Sequence, residues 1–128
     1  MKKNKFLRYL PCLLTCLLAL CSFMGCNSIP KLSSGNYYAK GAYQSTFNTP
    51  YIYLNTEDST FMVGLGDIYS YADGGSYEIQ QGKIIATSPR ATYQFEIKNK
   101  NTLILLENGY EEYLQISINT EFIFNDEN

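Results

Sequence analysis

The sequence predicts an all-β fold, a small antiparallel up-and-down barrel of eight or nine short strands, after an amino-terminal segment of different character. From residue 36 onward apolar residues recur at every second position, as on strands with one buried face. Turn-forming residues interrupt this alternation about every eight to twelve positions, which leaves no room for the crossover helices that parallel strands require. Closing such strands into a barrel removes exposed sheet edges.

The strand boundaries follow from the alternation and from the residues that interrupt it. Strands are predicted over residues 36–43, 50–55, 59–66, 74–80, 83–88, 91–98, 102–107, 112–118 and 120–125. The predicted hairpin turns, where Gly and Asn tolerate positive φ, are Gly74-Gly75, Gln81-Gly82, Asn99-Lys100-Asn101 and Asn108-Gly109. Residues 66–72 form either a short helical turn or an irregular loop. Tyr93, Phe95 and Leu103 are predicted to lie in the core.

The first 25 residues have the composition of an export signal. Lys2, Lys3, Lys5 and Arg8 form a basic region, and a leucine-rich apolar run follows over residues 10–24. This run is shorter than the stretch of about 20 apolar residues that spans a bilayer, and it has the length of a signal-peptide core. All four cysteines lie within the first 26 residues, so they do not predict a disulfide framework in the barrel.

The end of this segment, Phe23-Met24-Gly25-Cys26, resembles the lipobox of bacterial lipoproteins. Phe23 stands where that family usually has Leu, and Met24 where a smaller residue is common. The resemblance implies cleavage between Gly25 and Cys26, attachment of diacylglycerol to the Cys26 thiol, and an extracytoplasmic location at the cell membrane. The alternative is a plain amino-terminal membrane anchor whose cysteines are incidental. On the lipobox interpretation, residues 1–25 are the signal peptide, residues 26–35 are the lipidated cysteine and tether, and residues 36–128 are the barrel.

Charge and composition exclude several classes of function. Beyond Gly25 six basic residues face twelve acidic ones, a net charge of −6, which argues against nucleic-acid binding and against electrostatic adhesion to anionic lipid. The chain has no histidine, so histidine-based acid–base and nucleophilic catalysis is absent. We predict no catalytic residue, metal site or cofactor.

Two adjacent carboxylate pairs are the remaining source of chemistry. Glu57-Asp58 and Glu111-Glu112 could bind calcium or act as an acid–base couple, but neighbouring strand residues point to opposite faces, which favours solvated turn charges. A carboxylate-only glycosidase or lyase would need two carboxyl groups converging in one cleft.

The exported part resembles the small lipocalin-like lipoproteins of uncharacterised function. The resemblance covers residues 36–125 and rests on strand and turn residues: Gly41-Ala42-Tyr43, Pro50-Tyr51-Ile52-Tyr53-Leu54, Ser59-Thr60-Phe61, Tyr69-Ser70-Tyr71, Gly74-Gly75-Ser76-Tyr77, Gly82-Lys83-Ile84, Tyr93-Gln94-Phe95 and Thr102-Leu103. It implies a lipocalin-like barrel and carries no catalytic residues.

Tyrosine is the unusual component, with eleven of the twelve residues beyond the signal segment. Tyr51 and Tyr53 share one face of a strand whose other face carries apolar side chains, so they are candidate contacts for a ligand or partner, with Tyr69 and Tyr71. The alternative is β-propensity and core filling. We therefore expect a monomeric, non-catalytic binding module, for a small apolar ligand or for an envelope protein that recognises a Tyr-rich surface.

Overall fold

The computed structural model describes residues 28–41, 48–66, 72–112 and 114–126 as a closed antiparallel barrel. Each strand pairs with its neighbours along the chain, and the last strand pairs with the first. The strands are β1 (Gly35–Ala39), β2 (Tyr51–Asn55), β3 (Thr60–Gly64), β4 (Ala72–Gln80), β5 (Lys83–Thr87), β6 (Thr92–Asn99), β7 (Thr102–Asn108) and β8 (Glu121–Phe124). The predicted all-β up-and-down barrel is confirmed, with eight strands.

Alternating apolar residues fill the inside of the barrel. Tyr93, Phe95 and Leu103 are at most 1% exposed, as predicted. The rings meet edge to face: the centroids of Phe95 and Phe122 are 5.7 Å apart, and those of Phe61 and Tyr93 are 5.9 Å apart. Large side chains therefore occupy the narrow interior that eight strands enclose.

Two predicted hairpin turns have the expected backbone. Gln81 and Gly82 connect β4 to β5 with φ of 51° and 75°, the positive values that a type I′ turn requires at both central positions. The connection from β6 to β7 lies at Asn99-Lys100-Asn101, where the Asn99 side chain accepts a hydrogen bond from the Asn101 N–H at 2.9 Å.

The predicted turn at Gly74-Gly75 is wrong, because both glycines lie inside β4. A Cβ on Gly75 would collide with the carbonyl oxygen of Thr87, and one on Gly74 would stand 2.9 Å from that of Phe61. These glycines permit close approach of neighbouring backbones rather than a change of direction.

The predicted strand over 112–118 is also wrong, because residues 109–112 and 114–120 form an irregular cover between β7 and β8. Leu114 and Ile116 are buried, which explains the strand-like alternation. Their carbonyl oxygens accept hydrogen bonds from the side-chain amide of Asn108 instead of from a neighbouring strand. Alternation of burial alone does not distinguish a covering loop from a strand.

The two ends of the barrel differ. We call the end that carries the β2–β3, β4–β5 and β6–β7 connections the tether end, and the opposite end the loop end. Residues 28–34 lie across the tether end, so this part of the predicted tether packs on the barrel. Leu32 is buried in the core, and the Ser34 hydroxyl bonds to the Leu54 carbonyl at 3.1 Å. The buried hydroxyl of Tyr37 lies 2.9 Å from the Ser33 carbonyl and 3.1 Å from that of Lys100.

Several sequence-based expectations fall partly or wholly outside the described residues. Among them are the helical turn or loop at 66–72, of which 67–71 are not described, the end of the predicted strand 36–43, of which 42 and 43 are not described, and the signal segment. Over the described ranges, we find no helix with both the length and the apolar character needed to cross a bilayer.

Candidate functional site

The structure places two of the four candidate tyrosines together on the outer wall of the barrel. On β2, Ile52 and Leu54 point into the core, and Tyr51 and Tyr53 therefore point outward. Tyr53 is 38% exposed, a high value for so large a side chain. Tyr69 and Tyr71 lie outside the described residues, as do the predicted cleavage site at Gly25 and the predicted lipidation site at Cys26.

Neighbouring strands extend this pair of tyrosines into a surface. In the strand register Tyr38 of β1 lies opposite Tyr51, and Asn36 lies opposite Tyr53. On the other side Met62 of β3 lies opposite Tyr53. These five residues line a groove of about 280 Å³. We call Asn36, Tyr38, Tyr51, Tyr53 and Met62 the aromatic face.

Local contacts hold the aromatic face in one arrangement. The rings of Tyr38 and Tyr51 have centroids 6.3 Å apart and are tilted by 53°. The Tyr51 hydroxyl lies 3.8 Å from the Met62 sulfur, and the Tyr51 ring covers Gly64, where an added Cβ would stand 2.7 Å from its Cε1 atom. A glycine at this position therefore lets the ring lie flat against the sheet.

Charge is distributed unevenly around the barrel wall. Of the outward-facing residues on β1, β2 and β3, none is charged, whereas the outer positions of β6 include Glu96 and Lys98. Exposed Ile123 of β8 lies opposite Tyr38 and extends the uncharged surface. On the same strand, the Glu121 carboxylate forms ion pairs with the ammonium groups of Lys98, at 2.7 Å, and Lys40, at 3.5 Å. The hydrogen bond from Lys98 lowers the pKa of Glu121. Uncharged surface of this kind, bordered on one side by charged residues, occurs at recognition surfaces.

Three members of the aromatic face were missed by reasoning from the sequence. Asn36, Tyr38 and Met62 become neighbours of Tyr51 and Tyr53 only through the cross-strand register. The outward position of Met62 could have been found, because it lies between the inward-facing Phe61 and Val63. The pairing of Tyr38 with Tyr51 depends on the β1–β2 connection, which the sequence pattern does not determine.

A buried polar cluster lies at the loop end. Asp73 is 5% exposed, and its Oδ2 atom accepts hydrogen bonds from the Ser88 hydroxyl at 2.7 Å and the Tyr93 hydroxyl at 2.6 Å. The Ser88 hydroxyl oxygen also accepts the Ala91 N–H at 2.9 Å. Burial, and then the Asp73 carboxylate, raise the pKa of Tyr93. The cluster thus connects β4, β6 and the β5–β6 turn, and its carboxylate is enclosed rather than open to a substrate.

The two adjacent carboxylate pairs lie at opposite ends of the barrel. Glu57 and Asp58 belong to the β2–β3 connection at the tether end, where Asp58 accepts hydrogen bonds from the Thr60 N–H at 3.1 Å and hydroxyl at 2.6 Å. Glu111 and Glu112 follow β7 at the loop end and are exposed. The two pairs do not converge on one cleft. Within the described ranges, no group of three or more cysteine or carboxylate residues lies close enough to hold a metal ion.

Two further grooves lie at the tether end. One of about 800 Å³ is lined by residues 29–32 together with Thr56, Ser59 and residues 77–79 of β4. The other, of about 430 Å³, lies between residues 28–30, the β4–β5 turn and Ile97. Both grooves run between the amino-terminal segment and the barrel.

Comparison of the chain with known protein families, with curated proteins and with solved structures finds no match.

Proposed function

We propose that this protein is a non-catalytic binding module of the cell envelope, held at the extracytoplasmic face of the membrane by lipid on Cys26. In this proposal the aromatic face recognises another envelope protein. The observation that carries the proposal is an ordered, partly exposed group of three tyrosines and a methionine on a wall that has no outward charge on β1–β3. Tyrosine provides a large contact area at low cost in conformational entropy, and it is enriched among residues that dominate binding energy.

The location of the aromatic face supports binding rather than folding as its role. Tyr53 and Met62 are 38% and 44% exposed, so neither contributes a fully buried side chain to the core. Exposed apolar residues scattered singly need no explanation, but these two lie directly opposite each other on paired strands. A partner that covered them would remove apolar surface from water at no cost to charged groups.

A small apolar ligand inside the barrel has less support. The side chains of Tyr37, Phe95 and Phe122 are fully buried in the space that such a ligand would occupy. The bound state would require these rings to move against close packing. Native mass spectrometry of the protein would reveal an interior ligand as added mass.

Site-specific photo-crosslinking tests the proposed surface. A photoreactive phenylalanine analogue replaces Tyr53 in the full chain, and the same analogue replaces Glu96, which is exposed on β6, as the matched control. Illumination of intact cells is expected to give one discrete crosslinked species from position 53 and none from position 96. Equal crosslinking from both positions, or none from either, would contradict recognition through the aromatic face.

A second variant separates binding from folding. Tyr53→Ser is expected to abolish the crosslink from a photoreactive residue at position 38, on the neighbouring strand, while the thermal unfolding temperature changes little. If the variant unfolds as readily as a core truncation, Tyr53 serves the fold and the proposed surface loses its support.

A further inference from the structure

The course of the amino-terminal segment sets the orientation of the barrel at the membrane. We infer that the tether end rests directly on the lipid surface, with Ile29 and Ile79 against the bilayer and the loop end turned away. The inference rests on the lipidation of Cys26 in the proposed function. It concerns a different surface from the aromatic face, so the two can fail separately.

The first step is the length of chain between the lipid and the barrel. Residues 28–30 line a groove with the β4–β5 turn, so the chain runs beside this end of the barrel from Ser28 onward. Only Asn27 lies between Cys26 and Ser28. The two residue-to-residue steps from Cys26 to Ser28 span at most about 7 Å, at about 3.6 Å per residue of extended chain. A lipid on Cys26 therefore holds the β4–β5 turn within reach of the headgroups.

The second step is that the segment is secured to the barrel. Leu32 is 6% exposed, and Ser33 and Ser34 bond to Tyr37 and Leu54. The segment cannot lengthen the tether without exposing Leu32 and breaking these hydrogen bonds. The effective tether is thus the few residues before Leu32 rather than the ten residues from Cys26 to Gly35.

The third step is the character of the tether end. Ile29 and Ile79 are 45% and 42% exposed, and both line the larger groove beside the amino-terminal segment. Lys31 and Glu78, which carry opposite charges, both line the same groove. Because opposite charges are present together, net charge does not attract this end to anionic lipid. The short tether and the apolar side chains determine the contact.

The opposite end lies well away from the membrane in this orientation. β6 has eight residues, and at about 3.3 Å per residue with a tilt of about 40° it spans roughly 18 Å along the barrel axis. The loop end is therefore about 18 Å farther from the lipid, and the aromatic face on the side wall points parallel to the membrane. A partner on that face would be a lateral neighbour.

Fluorescence quenching by lipid tests the orientation. The lipidated full chain is placed in vesicles of phosphatidylethanolamine and phosphatidylglycerol that contain a lipid spin-labelled at its headgroup. A fluorophore is attached to Gln80→Cys at the tether end or to Glu111→Cys at the loop end, both of which are exposed positions. The acylated Cys26 is not available for labelling, and no other cysteine follows it. Quenching at position 80 is expected to exceed that at position 111 several-fold.

Two further variants show what sets the orientation. A flexible Gly/Ser insertion of about ten residues between Asn27 and Ser28 adds roughly 17 Å of reach and is expected to reduce the difference between the two positions. Ile29→Ser with Ile79→Ser should reduce it as well, whereas Ile118→Ser, equally exposed and away from the tether end, should not.

The outcomes distinguish this inference from the proposed function. Equal quenching at positions 80 and 111 in a protein whose intact mass includes the lipid would overturn the orientation and leave the aromatic face untouched. An intact mass without lipid would overturn the membrane anchor and the orientation together. Crosslinking from position 53 reports on the aromatic face in either case.

Discussion

At the residue scale, the buried Asp73 carboxylate depends on the hydroxyl groups around it. Its only two hydrogen-bond donors among the described side chains are Ser88 and Tyr93. A buried carboxylate that loses a donor keeps its desolvation cost without the compensating bond. This explains why a tyrosine, rather than a phenylalanine, lies at the start of β6.

Tyr93→Phe is expected to lower the free energy of unfolding by about 1–3 kcal/mol, because it removes one donor from Asp73 and leaves the ring in place. Urea unfolding followed by circular dichroism measures the change. Tyr53→Phe is the control, since Tyr53 is partly exposed, and its effect should stay within about 0.5 kcal/mol. Equal effects at the two positions would contradict the conclusion that the hydrogen bonds to Asp73 stabilise the fold.

Three buried tyrosines also predict how stability depends on pH. Burial raises the pKa of Tyr37, Tyr77 and Tyr93 above the ordinary value of 10.0. Above pH 10 the unfolded chain therefore releases protons that the folded chain retains, so the free energy of unfolding falls as pH rises, by up to about 1.4 kcal/mol per pH unit for each group. Denaturant unfolding between pH 8 and about 11 should show this decline, and Tyr93→Phe should make it shallower. A free energy of unfolding that does not change over this pH range would contradict the raised pKa values of these tyrosines.

At the element scale, two glycines in neighbouring strands have different roles in the sheet. Gly75 allows the backbone of β4 to approach that of β5, and Gly64 lies beneath the ring of Tyr51. An added methyl group meets a rigid carbonyl in the first case and the end of a movable side chain in the second. Substitution by alanine therefore tests a different property at each position. At Gly75 it tests the pairing of β4 with β5, and at Gly64 it tests the arrangement of the aromatic face.

Gly75→Ala is expected to destabilise the barrel by more than about 2 kcal/mol, because strands β4 and β5 must separate to relieve the contact. Gly64→Ala should cost less than about 1 kcal/mol and displace the Tyr51 ring instead. Thermal unfolding measures the first effect, and the near-ultraviolet circular dichroism of tyrosine measures the second. A Gly64→Ala variant less stable than Gly75→Ala would reverse the two assignments.

The amino-terminal segment behaves as part of the barrel, although its composition is that of a tether. Leu32→Ala is expected to lower the free energy of unfolding by about 2–5 kcal/mol, the usual cost of truncating a buried leucine. Ile29→Ala, at an exposed position three residues earlier, should change it by less than about 0.5 kcal/mol. If the two variants unfold alike in urea, the segment does not close the tether end in solution.

At the scale of the whole molecule, the barrel presents three distinct surfaces: a tether end closed by residues 28–34, a side wall with the aromatic face, and a loop end. The acidic balance of residues 26–128 gives them little attraction to anionic lipid. Membrane attachment in the proposed function therefore depends on the covalent lipid, and on two or more acyl chains, since one chain binds only marginally.

Cys26→Ser is expected to release the domain into the medium or to leave an unprocessed precursor, because the variant lacks the thiol to which the proposed lipid would be attached. Membrane fractionation and the intact mass of the product distinguish these results from wild-type behaviour. Cys21→Ser, a cysteine within the predicted signal segment, is the matched control and should be processed normally. A Cys26→Ser protein that remained membrane-bound and was cleaved at the same bond would contradict lipidation.

The sequence by itself determined the class of fold and most of its elements. Period-two alternation located eight of the nine predicted strands and the inward positions of Tyr93, Phe95 and Leu103, because side chains on a strand alternate between two faces. It also placed Tyr51 and Tyr53 together on one face of β2, opposite to Ile52 and Leu54, but left open which of the two faces is the core. Each of these properties depends on residues close together in the chain.

Only the tertiary structure decided the features that depend on distant residues. The aromatic face requires the register of β1, β2 and β3, and the Asp73 cluster brings together residues up to 20 positions apart. Three further features depend on which segments of the backbone lie side by side in the closed barrel. They are the glycine pair in β4, the cover formed by residues 109–112 and 114–120, and the burial of Leu32. The local pattern records that a residue is apolar, small or polar, but only the packing of the closed barrel determines what that residue contacts.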